Sequence, residues 1–452
     1  MVSQLFKQGS GRIYFSCLII CVLYFIFSTS TTSISRISTY EPISTIGQQR
    51  TPSFNTDRGT SSHQTLPGVA NELLALPSIQ GLNELRMDMA DVYITAIMDP
   101  KDISFNRLTC SSPSEERYMG LRGPTVIIDT PDTILPRYFF ALNLFNCSYV
   151  LPRLLGSIIE TMEFLGPGNC VLSIVGGRSD DGTTEILTKL RNKVVEMGSQ
   201  YYFTTSDIDP LKEGHDRVVE LAKLRNLALD PLMLAPEAQS PDSTVIFLND
   251  VAICANDILE LVYQRVLQDA HMVCALDWIN EGSSFYDVWV SRGMTGDLFF
   301  EIPQSGSWEF ARNLFWNDPA SRAAFEAKIP FQVYACWNGA VAFTAKPLLL
   351  RQVAFRSSRE KECYMGEPTL FCKDLWAYGY GRIAVIPSVN IGYNDEQSRF
   401  VKDAHGYVSD IIQTTEVEQK RPALITWRAA PPKLIKCEPD FNNPTWVPEK
   451  AE

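Results

Sequence analysis

The stretch VIFLNDVAICAND, residues 245–257, ends a four-residue apolar run on Asn249 and Asp250 and repeats the polar pair at Asn256 and Asp257. Asn and Asp commonly start turns and cap helices, because their side chains bond nearby backbone amides. Asp257 suits that role, since the helical pattern ILELVYQRVLQ follows it directly. Asp250 stands where a buried strand would deliver a side chain to the mouth of a sheet. Its oxygens suit Mg²⁺ or Mn²⁺, which bind through one or two carboxylates plus substrate phosphates. A cation there would neutralise a leaving diphosphate.

Other polar groups stand in similar settings. GGRSDDGT, residues 176–183, places Ser179 and Asp181 just before a helical pattern, which reads either as a tight turn with an N-cap or as backbone shaped around a ligand. It is neither a P-loop nor a G-x-G-x-x-G fingerprint. Arg225 lies on the apolar stripe of Val218, Leu221, Ala222 and Leu229, with Asn226 beside it. A guanidinium facing inward needs an anion, either an internal carboxylate or a ligand phosphate. FYDVWVSRGMTGD (285–297), CWNGAVAF (336–343) and CYMGEPTLFCKDLWAYGYGR (363–382) set Asp287, Asn338, Glu367 and Asp374 among aromatic residues. Such a mixture suits a sugar, although aromatic residues beside polar groups are also common in cores. His405, one of four histidines, reads either as structural or as a metal ligand.

These groups need a scaffold. RYFFALNLFN (137–146), CVLSIVG (170–176), YYFTT (201–205), TVIFL (244–248) and MVCAL (272–276) read as strands. Helical patterns run between them: after Pro152, from Thr183 to Val195, and through DRVVELAKLRNLALDPL. Such alternation predicts an α/β fold with a mostly parallel sheet flanked by helices. Ligands of such sheets sit at the carboxyl ends of the strands, where the loops at 176–183 and 249–251 fall.

With 452 residues, 45% of them hydrophobic, the chain can bury a large core. A net charge of -12 argues against a nucleic-acid partner. Residues 13–27, IYFSCLIICVLYFIF, carry no charge and follow Lys7 and Arg12. They predict a transmembrane signal anchor over 13–29, behind a cytoplasmic tail of residues 1–12, with the remainder lumenal. A cleaved signal peptide is the alternative. A Ser/Thr-rich flexible stem is expected over 30–80, a globular domain over 81–420, and a Pro-rich tail lying extended on the surface over 421–452. Nine cysteines lie beyond the apolar run, so at least one thiol stays out of intrachain pairing. The sequon Asn146-Cys147-Ser148 is a candidate glycosylation site.

RSDDGTTEIL, LAKLRN, VIFLNDVAICANDILELV, CALDW, FYDVWVSR, CWNGAVAF and KDLWAYGYGRIAVIPSV together resemble the fungal α-1,3-mannosyltransferases typified by the cryptococcal capsule enzymes, glycosyltransferase family 69. The resemblance runs from about residue 90 to 400. It implies a GT-A-like nucleotide-sugar fold, with GDP-mannose as donor, a mannose-containing glycan as acceptor, Mn²⁺ or Mg²⁺ as cofactor and an α-1,3-linked product made with retention. It also implies a single-pass type II protein of the Golgi or another secretory membrane, serving fungal glycan, capsule or cell-wall synthesis. On this reading Asp250 is the carboxylate kept from an Asp-x-Asp motif and His405 a second metal ligand. Arg225, Asn226 and Asn249 face the nucleotide or its phosphates, and Ser179 and Asp181 meet the nucleoside. Trp337, Asn338, Gly339 and Glu367 line the sugar side, and Asp287, Glu367 and Asp374 are the catalytic candidates. The sequence departs from the family pattern at Gly176-Gly177-Arg178, where a carboxylate is replaced by an Arg. That substitution motivates a different nucleotide-sugar donor as an alternative, and the lost first Asp motivates a catalytically silent glycan-binding homologue. A hydrolase fits less well, since neither G-x-S-x-G nor H-E-x-x-H occurs.

Overall fold

The computed structural model describes residues 79–122, 137–418, 423–439 and 444–449, apart from 237, 238, 241 and 304. Contacts divide the chain after Ser78, and the unit from Ile79 to Glu452 carries everything described below. The expected anchor over 13–29 lies outside the described residues, as does the stem over 30–80 except its last two residues, which already belong to a helix. Among the described residues no helix is long and apolar enough to cross a membrane.

The strands are β1 (Tyr138–Leu144), β2 (Cys170–Gly176), β3 (Gln200–Thr205), β4 (Thr244–Leu248), β5 (Met272–Ile279), β6 (Ser284–Phe285), β7 (Phe331–Gln332), β8 (Ala340–Thr344) and β9 (Ile383–Ile391), followed by a hairpin of β10 (Leu434–Cys437) and β11 (Thr445–Pro448). The principal helices are α1 (Ile79–Met98), α2 (Leu151–Leu165), α3 (Thr183–Glu196), α4 (Arg217–Leu234), α5 (Ala255–Leu267), α6 (Pro319–Glu326), α7 (Glu367–Ala377), α8 (Asp395–His405) and α9 (Val408–Glu418).

The main sheet has the order β3-β2-β1-β4-β8-β5-β9-β7, with β6 paired to β5. β1 to β4 are mutually parallel, as are β5 and β9, whereas β8 runs antiparallel to both of its neighbours. The expected α/β class with a largely parallel sheet is what the chain forms.

Alternation along each strand explains the two covered faces. In β1, Tyr138, Phe140, Leu142 and Leu144 join a core with Leu154, Ile158, Ile186 and Ile258 from α2, α3 and α5. Phe139 and Ala141 join the opposite core with Ala228 and Leu232 of α4 and Phe371 of α7. Helix α4 shows why its sequence is helical: Val218, Ala222, Arg225, Leu229 and Leu232 are buried at alternating spacings of four and three. Its N-cap, Asp216, accepts from the amides of Val218 and Val219.

Three disulfides join segments far apart in sequence: Cys110–Cys254, Cys274–Cys336 and Cys363–Cys437. Cys147, Cys170 and Cys372 are buried free thiols. The expectation of an extended surface tail over 421–452 is corrected. Its described part ends in the β10–β11 hairpin, with Ile435 and Cys437 buried and the Arg292 Nε donating to the Lys436 carbonyl at 2.8 Å. The prolines fall outside or at the end of the paired segments, so they do not prevent the ladder.

Asp257 has the structural role read from its sequence. At the third position of α5 it accepts from the Cys254 amide, and both its oxygens take bonds of 2.8 Å from Lys402 Nζ. Both side chains are buried, so removing one charge strands the other. Lys402→Met should destabilise the fold by about 3–5 kcal/mol in chemical denaturation. Lys193→Met, which breaks an exposed pair with Glu196, should leave the midpoint unchanged.

Candidate functional site

The carboxyl ends of β1, β2, β4, β5 and β9 open on one edge of the sheet, and the reversed strand β8 begins there. Residues 145–150, 177–182, 249–251 and 337–339, with Asp277 and Tyr393, therefore share that edge.

On the β1–β2 side the loops are knitted by short polar contacts. The Asn146 amide donates to Ser179 Oγ at 3.1 Å, and the Asp180 amide donates to Asn146 Oδ1 at 3.0 Å. Asp181 accepts from the amides of Ser148 (2.8 Å) and Thr183 (3.0 Å). Burial would raise the Asp181 carboxyl, but these bonds prevail and lower it. Ser179 and Asp181 thus shape the loop. Gly177 is required, because a Cβ there would lie 2.2 Å from the Ser206 carbonyl oxygen. Arg178 pairs with Asp209 at 2.7 Å and covers the exposed Phe145 ring at 4.7 Å. The side chain of the sequon residue Asn146 is exposed but already engaged with Asp180.

Asp250 is the exception to this pairing. It follows β4 directly, is partly exposed and, among the described residues, forms no ion pair. Burial, with no cation beside it, raises its carboxyl above the ordinary value. Its field reaches Cys147 and Tyr149 after β1 and Tyr286 after β6. A carboxylate in this state suits a hard divalent cation that takes its remaining oxygens from a diphosphate. Among the described residues no cluster of three His, Cys, Asp or Glu side chains forms a complete metal cage.

Asn249 looks inward: its Oδ1 accepts from Trp337 Nε1 at 3.2 Å, and its amide donates to the Gly339 carbonyl at 2.9 Å. Trp337 and Asn338 are buried, so they support the edge from beneath and do not line an open cleft. Asn338 and Gly339 both adopt positive φ, 55° and 75°. Successive amides in such a turn make an anion-binding concavity. Here it grips Asp287: the Asn338 amide donates to Asp287 Oδ2 at 2.9 Å, and the Gly339 amide also bonds the carboxylate. The Asn338 side chain is fully used, donating to the Ala275 carbonyl and accepting from Ser291 Oγ.

Arg225 settles the choice left open by its stripe. Its Nε donates to Glu367 Oε1 at 2.8 Å, both side chains are buried, and the guanidinium lies 4.3 Å over the Trp337 ring. It is an internal ion pair, and its field also reaches Asp287. Asp287 is the partly exposed member of this cluster. Burial pushes its carboxyl from 3.8 up to about 6, against the pull of Arg225 and the two amides.

Three further expectations are corrected. Asn226 exchanges bonds with the backbone of Phe355, its Nδ2 donating at 2.9 Å and its Oδ1 accepting at 3.0 Å, so it is spent on packing α4. Asp374 is held in a two-point pair by Arg356, in a network with Glu362 and Lys373. His405 stacks on Trp278 at 4.0 Å and its Nε2 donates to the Gly282 carbonyl at 2.6 Å, so the ring is engaged in packing and, among the described residues, belongs to no metal-holding cluster. Asp277 and Tyr393 were missed by the sequence reading. Asp277 follows the apolar run MVCAL as Asp250 follows VIFL, with one polar residue fewer between.

Residues 137–374 match the family model described as Cryptococcal mannosyltransferase 1. The alpha-1,3-mannosyltransferase CMT1 of Cryptococcus neoformans is 34% identical over 322 residues, covering 67% of this chain and 68% of that protein. Among solved structures, S. aureus TarS is matched at 15% identity and a TM-score of 0.34, over 61% of this chain and 65% of that one. The chain thus spans just under two thirds of that TarS structure. The mannosyltransferase PcManGT from Pyrobaculum calidifontis, solved with GDP-Man and Mn²⁺, is matched at 12% identity and a TM-score of 0.33, over 75% and 77% of the two chains. The two structural likenesses are too distant to carry an assignment.

Asp287 binds its proton more tightly folded than unfolded. The stability this contributes is complete below pH 3.8 and is lost as pH rises through about 6. Asp287→Asn has no charge to bury, so its denaturation midpoint should gain on the wild type across that window and level off above it. Parallel denaturation series at stepped pH measure the difference, and a constant offset would contradict the assignment.

Proposed function

The chain belongs to the cryptococcal mannosyltransferase 1 family, and from that premise we propose that it transfers mannose from GDP-mannose to a mannoside, forming an α-1,3 linkage with retention and with a divalent cation at Asp250. It is a glycosyltransferase; the donor, metal and stereochemistry are the finer reading. The metal reading is carried by the unpaired carboxylate of Asp250 at a sheet edge where the neighbouring polar groups are otherwise engaged, and the donor and linkage follow from the family. The strand order, with β8 reversed between the parallel strands β4 and β5 and the short β7 reversed at the edge, supports the GT-A-like description.

Asp250 would hold Mn²⁺ or Mg²⁺ together with the donor phosphates, and the bound cation would screen the charge of the departing GDP. The loops at 145–150 and 177–182 are rigid through Asp181 and Ser179 and offer the nucleoside a fixed wall. Asp287, partly exposed at this edge, is an anion at neutral pH, with the amides of Asn338 and Gly339 holding it in place. In a retaining transfer the acceptor oxygen bonds the anomeric carbon on the face from which the diphosphate leaves, as the sugar–phosphate C–O bond breaks and the hydroxyl proton passes to the departing phosphate oxygen. Positive charge grows on the anomeric carbon in that step, and the Asp287 carboxylate stabilises it. The Arg225–Glu367 pair keeps Trp337 and the turn above it from shifting.

The proposed setting is lumenal, in the Golgi or another secretory membrane, with a single type II anchor read from the uncharged apolar run at 13–27. Three disulfides across long sequence separations fit an oxidising compartment.

The test pairs binding with chemistry. Thermal shifts of the wild type with GDP, UDP and GDP-mannose, with and without Mn²⁺, should show metal-dependent stabilisation by guanine nucleotides. A mannobioside acceptor should gain one mannose, and NMR of the product should show an α-1,3 linkage. Asp250→Ala should fold normally, lose the metal-dependent shift and lose at least about a hundredfold in kcat/KM. A folded Asp250→Ala enzyme with full Mn²⁺-dependent activity would remove the central assignment. A uridine preference would change the donor, and no nucleotide response from folded protein would favour a silent homologue.

A further inference from the structure

Beneath Asp287 lies a second carboxyl that none of the roles above uses. Asp277, near the end of β5, is fully buried. Its Oδ1 accepts from the Asp287 amide at 3.3 Å, its Oδ2 accepts from the Tyr393 hydroxyl at 2.5 Å, and its carbonyl accepts from the Tyr286 amide at 3.1 Å. One residue thus holds the backbone of both Tyr286 and Asp287. Tyr393 lies two residues past Ile391, the partner of Asp277 across the β5–β9 ladder, and meets the Tyr286 ring edge-on at 5.1 Å. The turn packs closely on this pair of strands: a Cβ on Gly339 would lie 3.0 Å from Ile391 Cδ1 and in ordinary contact, at 3.5 Å, with the Asp277 Cβ.

We propose that Asp277, clamped by Tyr393, is the positioning residue that holds the Asp287 carboxylate in its orientation at this sheet edge. The inference rests on the mannosyl-transfer reading of this edge. The groups around Asp287 are Asp277 from β5, Arg225 from α4, Glu367 from α7, its neighbour Tyr286, Tyr393 beyond β9, and the amides of Asn338 and Gly339 ahead of β8. Among the described residues the only cation in that set is Arg225, already paired with Glu367 and felt by Asp287. Two adjacent carboxyls with one shared cation do not both ionise at neutral pH. Burial and the field of Asp287 raise Asp277 well above the ordinary range, so it keeps its proton and the anion stands on Asp287. A neutral Asp277 needs only one acceptor for the Asp287 amide and one donor or acceptor for Tyr393. An Asn side chain supplies both, whereas Ala supplies neither.

Kinetics of the full chain and ¹³C NMR of its aspartate carboxyls test this, with Asp287→Asn assigning the Asp287 signal. Asp277→Asn should keep kcat within about threefold of wild type, with the acid limb unmoved. Asp277→Ala should lower kcat about tenfold or more while leaving the GDP-mannose KM nearly unchanged, because a shifted carboxylate costs the transition state and not the ground state. In the NMR series Asp287 should titrate alike in wild type and Asp277→Asn but at lower pH in Asp277→Ala, where water enters. Full activity and unchanged Asp287 titration in Asp277→Ala would overturn the proposal, as would an Asp277→Asn enzyme as impaired as the Ala one. If Asp277→Ala does not fold, Tyr393→Phe decides: wild-type kcat with unmoved titration overturns it, and a reduced kcat at unchanged KM supports it. Should the wild type transfer no mannose, the mannosyl-transfer reading fails, and the carboxyl titrations still decide the positioning role.

Discussion

Everything at the working edge depends on how one reversed strand enters the sheet. β8 runs against both β4 and β5, so its amino end lies beside their carboxyl ends. The chain must turn sharply to enter there, and it does so through two successive positive-φ residues, Asn338 and Gly339. That geometry points amides outward together, which makes the turn a receptor for a carboxylate. Asp287 occupies it. The same turn is pinned by the Cys274–Cys336 disulfide, by Asn338 on the Ala275 carbonyl and by Asn249 on both Trp337 and Gly339. A loop carrying this much covalent and polar restraint holds its carboxylate within a narrow range of positions.

Several charges near that turn and farther from it are paired. Arg225 is matched by Glu367, Arg356 by Asp374 and Glu362, Lys402 by Asp257 and Arg178 by Asp209. Asp250 has no such match. A partly buried carboxylate at a strand end with neither an ion pair nor a donor from another residue among the described residues is costly unless something else supplies the cation.

The C-terminal hairpin extends the same logic of support. Cys437 is tied to Cys363, three residues before Gly366, and Gly366 packs against the Trp289 ring so closely that a Cβ there would lie 2.9 Å from it. Trp289 Nε1 donates to the Glu438 carbonyl, and Arg292 donates to that of Lys436. The hairpin therefore braces both the segment bearing Asp287 and the start of α7 bearing Glu367. Residues that looked peripheral by composition are joined to the acid cluster through two side chains and one disulfide.

The sequence by itself determined β1 to β5, the helices between them and the sheet class, because apolar runs and period-3.6 burial are local properties of the chain; β6 to β9 and the C-terminal hairpin were not legible in it. It also marked Asp250, since a carboxylate that closes an apolar run is visible in one stretch, and it placed Asp257 as a structural residue. Partners could not be read the same way. Whether Arg225 met a phosphate or a carboxylate depended on Glu367, 142 positions away, brought near by the packing of α7 on α4. Asn226, Asp374 and His405 share residue types with real ligands, and only the backbone of Phe355, the guanidinium of Arg356 and the Gly282 carbonyl show them to be spent. Asp277 and Tyr393 come together because β5 and β9 are neighbours, a pairing that no local pattern encodes. The tertiary structure decided which polar groups remain unsatisfied, and that is a property of contacts between distant segments.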